Sequence, residues 1–223
     1  MKQIKHLVFD FGGCIDAPGI HTRVLFWDAF EVTFQLSPSQ KHSFQEAYSL
    51  ADQRMMKTGE AKNLALVEFN RWNARLIAET MGLDNSKSIQ SGDLVSEKMV
   101  KFLKSSEQAL VELKSQFPLS IISNFTGNLN VILKEFGMLE LFSTVTESYY
   151  EGFSKPDERI FLSAQKKIGL PSSALVYIGD NPKNDILPAK RLGWSAIIIG
   201  ESETNEADAQ ISDLRELKKF FLN

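Results

Sequence analysis

From Leu119 onward the chain alternates short apolar runs with stretches of helical spacing. Leu119 to Ser123, Thr144 to Glu147, Leu175 to Ile178 and Ala196 to Ile199 have the length and residue types of buried strands. Between them, Leu129, Ile132, Leu133 and Phe136, then Ile160, Phe161 and Ala164, recur at the interval that puts side chains on one helix face, with Gly137 and Gly169 as stops. Strands alternating with helices are the signature of a parallel sheet built from βαβ units. A further run, Ile4 to Asp10, matches these strands but stands apart from them near the start of the chain.

The segment between is helical. Leu25, Ala29 and Val32 with Phe26 and Phe30, then Phe44, Ala47, Tyr48 and Ala51, then Leu64, Val67, Trp72 and Leu76, predict at least three amphipathic helices. Breaks fall at Ser37-Pro38, Thr58-Gly59 and Met81-Gly82, and the polar stretch Asp84 to Asp93 reads as the way out. Another helix is expected from about Asp93 to Gln116, and a closing one over Asp213 to Leu222. The chain of 223 residues is long enough for a core plus an insert. The expected architecture is α/β, a doubly wound, Rossmann-like parallel sheet made of residues 1–16 and 94–223. An α-helical cap, residues 17–93, would cover the sheet's carboxyl edge.

Composition narrows the function classes. A net charge of −3 with 24% charged residues does not point to a nucleic acid partner, which would need a basic face, although composition leaves room for local basic patches. The apolar run after the first residues is interrupted by Asp10 and is too short for a signal or membrane segment, so a cytoplasmic protein without a membrane partner is expected. The single cysteine, Cys14, excludes an intramolecular disulfide and reads as a small packing residue.

Polar groups gather at the strand ends. Asp10 follows the first strand, and Gly12 and Gly13 after it permit a close ligand approach. Ser123-Asn124 ends the second strand, Lys155-Pro156-Asp157 precedes a helix, and Gly179-Asp180 through Asp185 follows a later strand. Ligands of open α/β sheets bind at this edge. Each group alone also has a plain structural reading, such as a helix cap for Ser123, Asn124 or Asp185.

Taken together, in this order, they resemble the haloacid dehalogenase (HAD) superfamily, a large group made mostly of phosphatases, and among them the members with a helical cap inserted after the first motif. The resemblance implies Asp10 as a nucleophile that attacks phosphorus, giving an aspartyl phosphate that water then hydrolyses. It implies Mg²⁺ held by Asp10, the Gly12 carbonyl and Asp180, with Asp185 orienting that assembly. Lys155 would neutralise the nucleophile and the phosphoryl group, and Ser123 would donate a hydrogen bond to a phosphoryl oxygen. Asn124 and Gly13 are expected on the substrate. So are Arg54 and Lys57, because the Thr58-Gly59 break resembles the cap loop that reaches the active site in relatives, and positive charge there would favour an anionic substrate.

One departure bears on mechanism. Phosphatases of this superfamily normally carry a second Asp two residues after the nucleophile, to protonate the leaving group and then activate water; here that residue is Gly12. Asp16, His21 or a metal-bound water are the candidate substitutes. A second departure is Pro188, which lies near the end of a first turn if its helix starts at Asn184 or Asp185. The leading expectation is a Mg²⁺-dependent phosphatase of a small phosphorylated metabolite, monomeric or a homodimer. A metal-independent 2-haloacid dehalogenase uses the same Asp and Lys, and also lacks the second Asp, but carries an aromatic residue where Gly12 stands. A catalytically weakened member that binds a phospho-ligand or a partner is the third reading.

Overall fold

The computed structural model describes residues 3–201 and 204–222. Six strands form one parallel sheet in the order β3-β2-β1-β4-β5-β6. They are β1 (His6–Phe9), β2 (Leu119–Ser123), β3 (Phe142–Glu147), β4 (Leu175–Gly179), β5 (Ser195–Ile199) and β6 (Ala209–Ile211). Strand order reverses at β1, so the first strand sits in the middle of the sheet between β2 and β4. Every residue of β1, β2 and β4 is buried, as expected of central parallel strands covered on both faces. Period-two alternation splits the core. Val8, Ile122, Tyr177 and Ile198 join Ile160, Phe161 and Trp194 on one face, while Leu7, Phe9, Ile121 and Ile178 join the larger cluster on the other. A buried His6 is satisfied there by the Ser120 hydroxyl at 2.8 Å, and burial pushes its imidazole down to about 4.

The helices α1 (Thr22–Phe34), α2 (Lys41–Thr58) and α3 (Leu66–Thr80) fall where apolar spacing predicts them. Their packing is aromatic, with Trp27 and Phe30 each 5.3 Å from Phe44 and Phe26 at 5.7 Å from Tyr48. Val32 departs from the expected stripe. It is 70% exposed, because Leu25, Phe26, Ala29 and Phe30 already fill the inward face of α1.

The polar stretch before Asp93 is not a loop. A short turn over Asn85–Lys87 leads directly into α4 (Ser88–Lys114), which runs without a break from the helical layer to the sheet. Ser88, Ser91 and Ser96 are buried in it. Small hydroxylated residues let α3 approach, and their hydroxyls can bond backbone carbonyls, as Ser88 does to Asn85 and Ser96 to Gly92.

The remaining helices are α5 (Leu129–Glu135), α6 (Ser148–Glu151), α7 (Glu158–Ile168), α8 (Leu187–Arg191) and α9 (Lys218–Phe221). A wide π turn, Pro182–Ile186, precedes α8, so Pro188 lies in the first turn of that helix, where a missing donor costs little. The closing segment divides into a 3₁₀ turn over Leu214–Leu217, capped by Asp213, and α9. Strand β6 was not expected: three residues are too few to show a period. No helix among the described residues is long and apolar enough to cross a membrane.

Candidate active site

Ser123, Asp10 and Asp180 stand side by side because β2, β1 and β4 are neighbours and each ends at or just before one of them. The Asp10 amide continues the ladder by donating to the Ile178 carbonyl at 2.8 Å. The Asp10 carboxylate accepts from the Phe11 amide at 2.7 Å and from Lys155 Nζ at 2.8 Å. Lys155 Nζ also donates to Asp185 Oδ1 at 2.6 Å and to the Tyr177 hydroxyl at 3.0 Å. Burial alone would pull the Lys155 ammonium down. The two carboxylates outweigh it and hold the group charged well above its ordinary value.

Asn124 serves Lys155. Its amide donates to the Lys155 carbonyl at 2.9 Å and accepts from the Lys155 amide at 2.7 Å. Both polar ends of the expected substrate ligand are thus taken up in placing the lysine. The Ser123 side chain is buried, lines the cavity, and makes no hydrogen bond among the described residues.

The carboxylates crowd. Oxygens of Asp10, Asp180 and Asp185 all lie within 4.8 Å of one another. Asp185 is engaged at both oxygens, by Lys155 and by the Asn181 amide at 3.0 Å. Asp180 has no hydrogen-bond or ion-pair partner among the described residues. Burial, with Asp10 and Asp185 beside it, pushes its carboxyl up to about 8; burial likewise raises Asp10 to about 6 against the pull of Lys155. One lysine among three carboxylates leaves the cluster short of positive charge. Hard oxygen donors at this spacing suit a divalent cation such as Mg²⁺, and Gly12 lines the same cavity.

The two glycines differ. Gly13 has φ +79°, and a Cβ there would fall 2.3 Å from Asp180 Oδ2, so Asp180 occupies the room that a side chain would need. Its amide donates to Asp16 Oδ1 at 2.7 Å, which turns Gly13 toward the loop and not, as expected, toward substrate. Gly12 has no such constraint: a Cβ would meet only Thr22 Oγ1, at 3.5 Å.

Asp16 proves to be part of the site. It is fully buried, lines the cavity, and accepts from the Gly13 amide and from the Thr22 hydroxyl at 3.3 Å. Burial, partly offset by those donors, pushes it up to about 7. His21 also lines the cavity, but its Nδ1 accepts from the Arg23 amide at 3.1 Å and caps α1. Cys14 is buried with its thiol aimed at the Ile178 carbonyl, as befits a packing residue.

Arg54 and Lys57 correct the expectation of a basic cap loop. Both are exposed and absent from the cavity wall, and Arg54 Nε donates to Glu60 at 3.1 Å. Helix geometry is the reason. Residues two apart lie about 200° round the axis, so with Tyr48 and Asp52 of α2 facing the cavity, Arg54 faces away. The helical layer instead contributes Tyr48, Asp52, Phe69, Asn73 and Met99 to a cavity of about 210 Å³. These, with Tyr177, escaped sequence reading. Tyr48 and Tyr177 read as apolar core, and Asp52 and Asn73 sit in helices without any motif to mark them.

Among curated proteins, haloacid dehalogenase-like hydrolase domain-containing protein 3 of Danio rerio is 26% identical over 195 residues, 82% of this chain and 79% of that protein. Glyceraldehyde 3-phosphate phosphatase of Methanothermobacter thermautotrophicus is 34% identical over 106 residues, 44% of each chain. Among solved structures, the HAD-hydrolase YfnB of Bacillus subtilis, bound to magnesium, aligns with a TM-score of 0.62 at 18% identity, over 99% of this chain and 100% of that one. L-2-haloacid dehalogenase of Xanthobacter autotrophicus aligns at 0.61 and 16%, over 97% and 98%. These two likenesses concern the fold alone. The family description "haloacid dehalogenase-like hydrolase" matches residues 4–193, and with a match over that much of its length, through all four polar groups at the strand ends, the chain belongs to the haloacid dehalogenase-like hydrolases.

Proposed function

We propose that the protein is a Mg²⁺-dependent phosphatase of a small phosphorylated metabolite, with residues 1–16 and 94–223 as the catalytic core and residues 17–93 as its cap. The observation that carries this reading is Asp180, a half-buried carboxylate beside Asp10 with no partner among the described residues and a pKa raised to about 8. A phosphate approaching Asp10 needs a cation there to offset charge repulsion, and Asp180 offers that cation a ligand; attack at carbon needs no cation, and there the same carboxylate would serve as the base for the water that cleaves the ester intermediate. Mg²⁺ would be held by Asp10, Asp180 and the Gly12 carbonyl, and would neutralise the phosphoryl oxygens. Similarity to a glyceraldehyde 3-phosphate phosphatase supports the same class.

Asp10, kept ionised by Lys155 and aimed by the Phe11 amide, attacks phosphorus. The bond from phosphorus to the alcohol oxygen breaks, and Asp10 carries the phosphoryl group until water displaces it. Lys155 and Ser123 hold phosphoryl oxygens, and Asn124, Tyr177 and Asp185 hold Lys155. The departing alkoxide needs a proton that Gly12 lacks. Asp16 is the proton source in this reading: it lines the same cavity and, with a pKa of about 7, is protonated in a large fraction of molecules at neutral pH.

The assay is hydrolysis of p-nitrophenyl phosphate and of a panel of phosphorylated metabolites, with Mg²⁺ or with chelator. Phosphate release that requires Mg²⁺ supports the proposal. Release of chloride from 2-chloropropionate, insensitive to chelator, with no phosphatase turnover, would replace it with the dehalogenase reading.

A further inference from the structure

Besides the groups at the strand ends, the cavity is lined by acceptors from the helical layer. Tyr48 and Asp52 lie one turn apart on α2 and face the cavity together with Asn73 of α3. Asp52 has no hydrogen-bond or ion-pair partner among the described residues, and burial pushes its carboxyl up to about 6. Asn73 is 2% exposed, and its Oδ1 is buried without a donor. A buried carbonyl left unpaired costs free energy. Asp52, a half-buried acceptor on the cavity wall that no protein donor satisfies among the described residues, marks where a ligand's donor belongs.

Charge and size narrow the ligand further. Lys155 is the only lysine or arginine lining the cavity among the described residues, and it is already bonded to two carboxylates. A second phosphate or a carboxylate on the substrate would meet Asp52 with no cation to offset the repulsion. The volume of about 210 Å³ is below the ~300–1,000 Å³ of drug-sized sites, which leaves room for a phosphoryl group and a short chain.

Resting on the phosphatase reading, we infer that the substrate is a short phosphate monoester whose alcohol part carries a protonated amine. The ammonium pairs with Asp52, the residue that selects it. The cap's contribution to the cavity is then an acidic one, in place of the basic Arg54 and Lys57 that were expected to favour an anionic substrate.

Three near-isosteric esters test the inference: 2-aminoethyl phosphate, 2-hydroxyethyl phosphate and carboxymethyl phosphate, with p-nitrophenyl phosphate reporting the chemistry separately. In the wild-type protein kcat/KM should fall in the order amine, hydroxyl, carboxylate, with at least about 10-fold between the first and last, as expected for a charge-assisted contact. Asp52→Asn should bring the amine-to-hydroxyl ratio close to unity, and Asp52→Lys should place the carboxymethyl ester first. Ratios within one variant cancel any general loss of folding or chemistry. Turnover of p-nitrophenyl phosphate with the carboxymethyl ester preferred by the wild type, or an amine-to-hydroxyl ratio that Asp52→Asn leaves unchanged, overturns the inference and leaves the phosphatase reading standing. No turnover of any of the four esters overturns both.

Discussion

Replacing Asp16 by Asn should make the protein more stable and less active at once. Asp16 is fully buried, and its carboxyl is raised from 3.8 to about 7. At about 1.4 kcal/mol per pH unit, that gap is a penalty of about 4 kcal/mol for ionising the folded protein above neutrality. The sign follows from linkage. A folded carboxyl with the higher pKa binds more protons than the unfolded one, so stability falls as pH rises from about 4 to about 7 and levels off beyond. Asn keeps the acceptor for the Gly13 amide, can donate to Thr22 Oγ1, and does not ionise. Denaturant unfolding in chelator should therefore find Asp16→Asn more stable at pH 8, by up to about 4 kcal/mol, with the advantage shrinking toward pH 4. Activity should move the other way. Loss of a proton donor typically costs about 10²- to 10⁴-fold, and alkyl phosphates should show it. p-Nitrophenyl phosphate should show much less, because nitrophenolate leaves without a proton. Gly12→Asp in the Asp16→Asn background should restore alkyl ester turnover, since the space at Gly12 admits a Cβ with only a 3.5 Å contact. Equal stability of the two proteins at pH 8, or an unchanged ratio of alkyl to aryl turnover, would refute the assignment of Asp16.

Other sites give simpler expectations. Mg²⁺ at about 100 times its Kd should stabilise the protein by about 2.7 kcal/mol, read as a rise in melting temperature, and Asp180→Asn should abolish that rise whether or not a substrate is known. Lys155→Met leaves Asp10 and Asp185 buried without their cation. Breaking such a cluster typically costs about 3–5 kcal/mol. Urea unfolding should show that loss at pH 8 and a smaller one at pH 4.5, below the raised pKa of about 6 of Asp10.

The fold was legible because its signals are local. Leu119 to Ser123 is bounded as a strand by composition alone, and Gly59 and Gly169 stop their helices where expected. Misreadings arose where a partner decides the conformation. The serines of α4 look like linker residues until α3 lies against them, and β6 is a strand only because β5 supplies its hydrogen bonds. Side-chain roles follow the same division. Asp10, Ser123, Lys155 and Asp180 occupy strand ends and their loops, so their convergence follows from topology once the strands are known. Tyr177 and Asn124 were hidden in plain view, as a core aromatic and a nominal substrate ligand, because what each bonds is set by Lys155 across the sheet edge.

The helical layer is where sequence reading had least to go on, and there the correction carries most weight. Charge near a helix break suggested Arg54 and Lys57 as substrate contacts, but a break says nothing about which face of the helix turns inward. Tyr48 and Asp52 hold that face, and an exposed arginine on the opposite side finds Glu60. On the proposed mechanism, the same reasoning accounts for a glycine at position 12. A proton donor is defined by its place in the cavity, not by its distance along the chain from Asp10. The loop curls so that Asp16 comes back under the Gly13 amide and beside Thr22, at the wall where a side chain on residue 12 would project. On the proposed mechanism, a carboxyl two residues after Asp10 and one six residues after it would serve the same leaving oxygen, and the buried one has its pKa lifted to about 7 by the burial that puts it there.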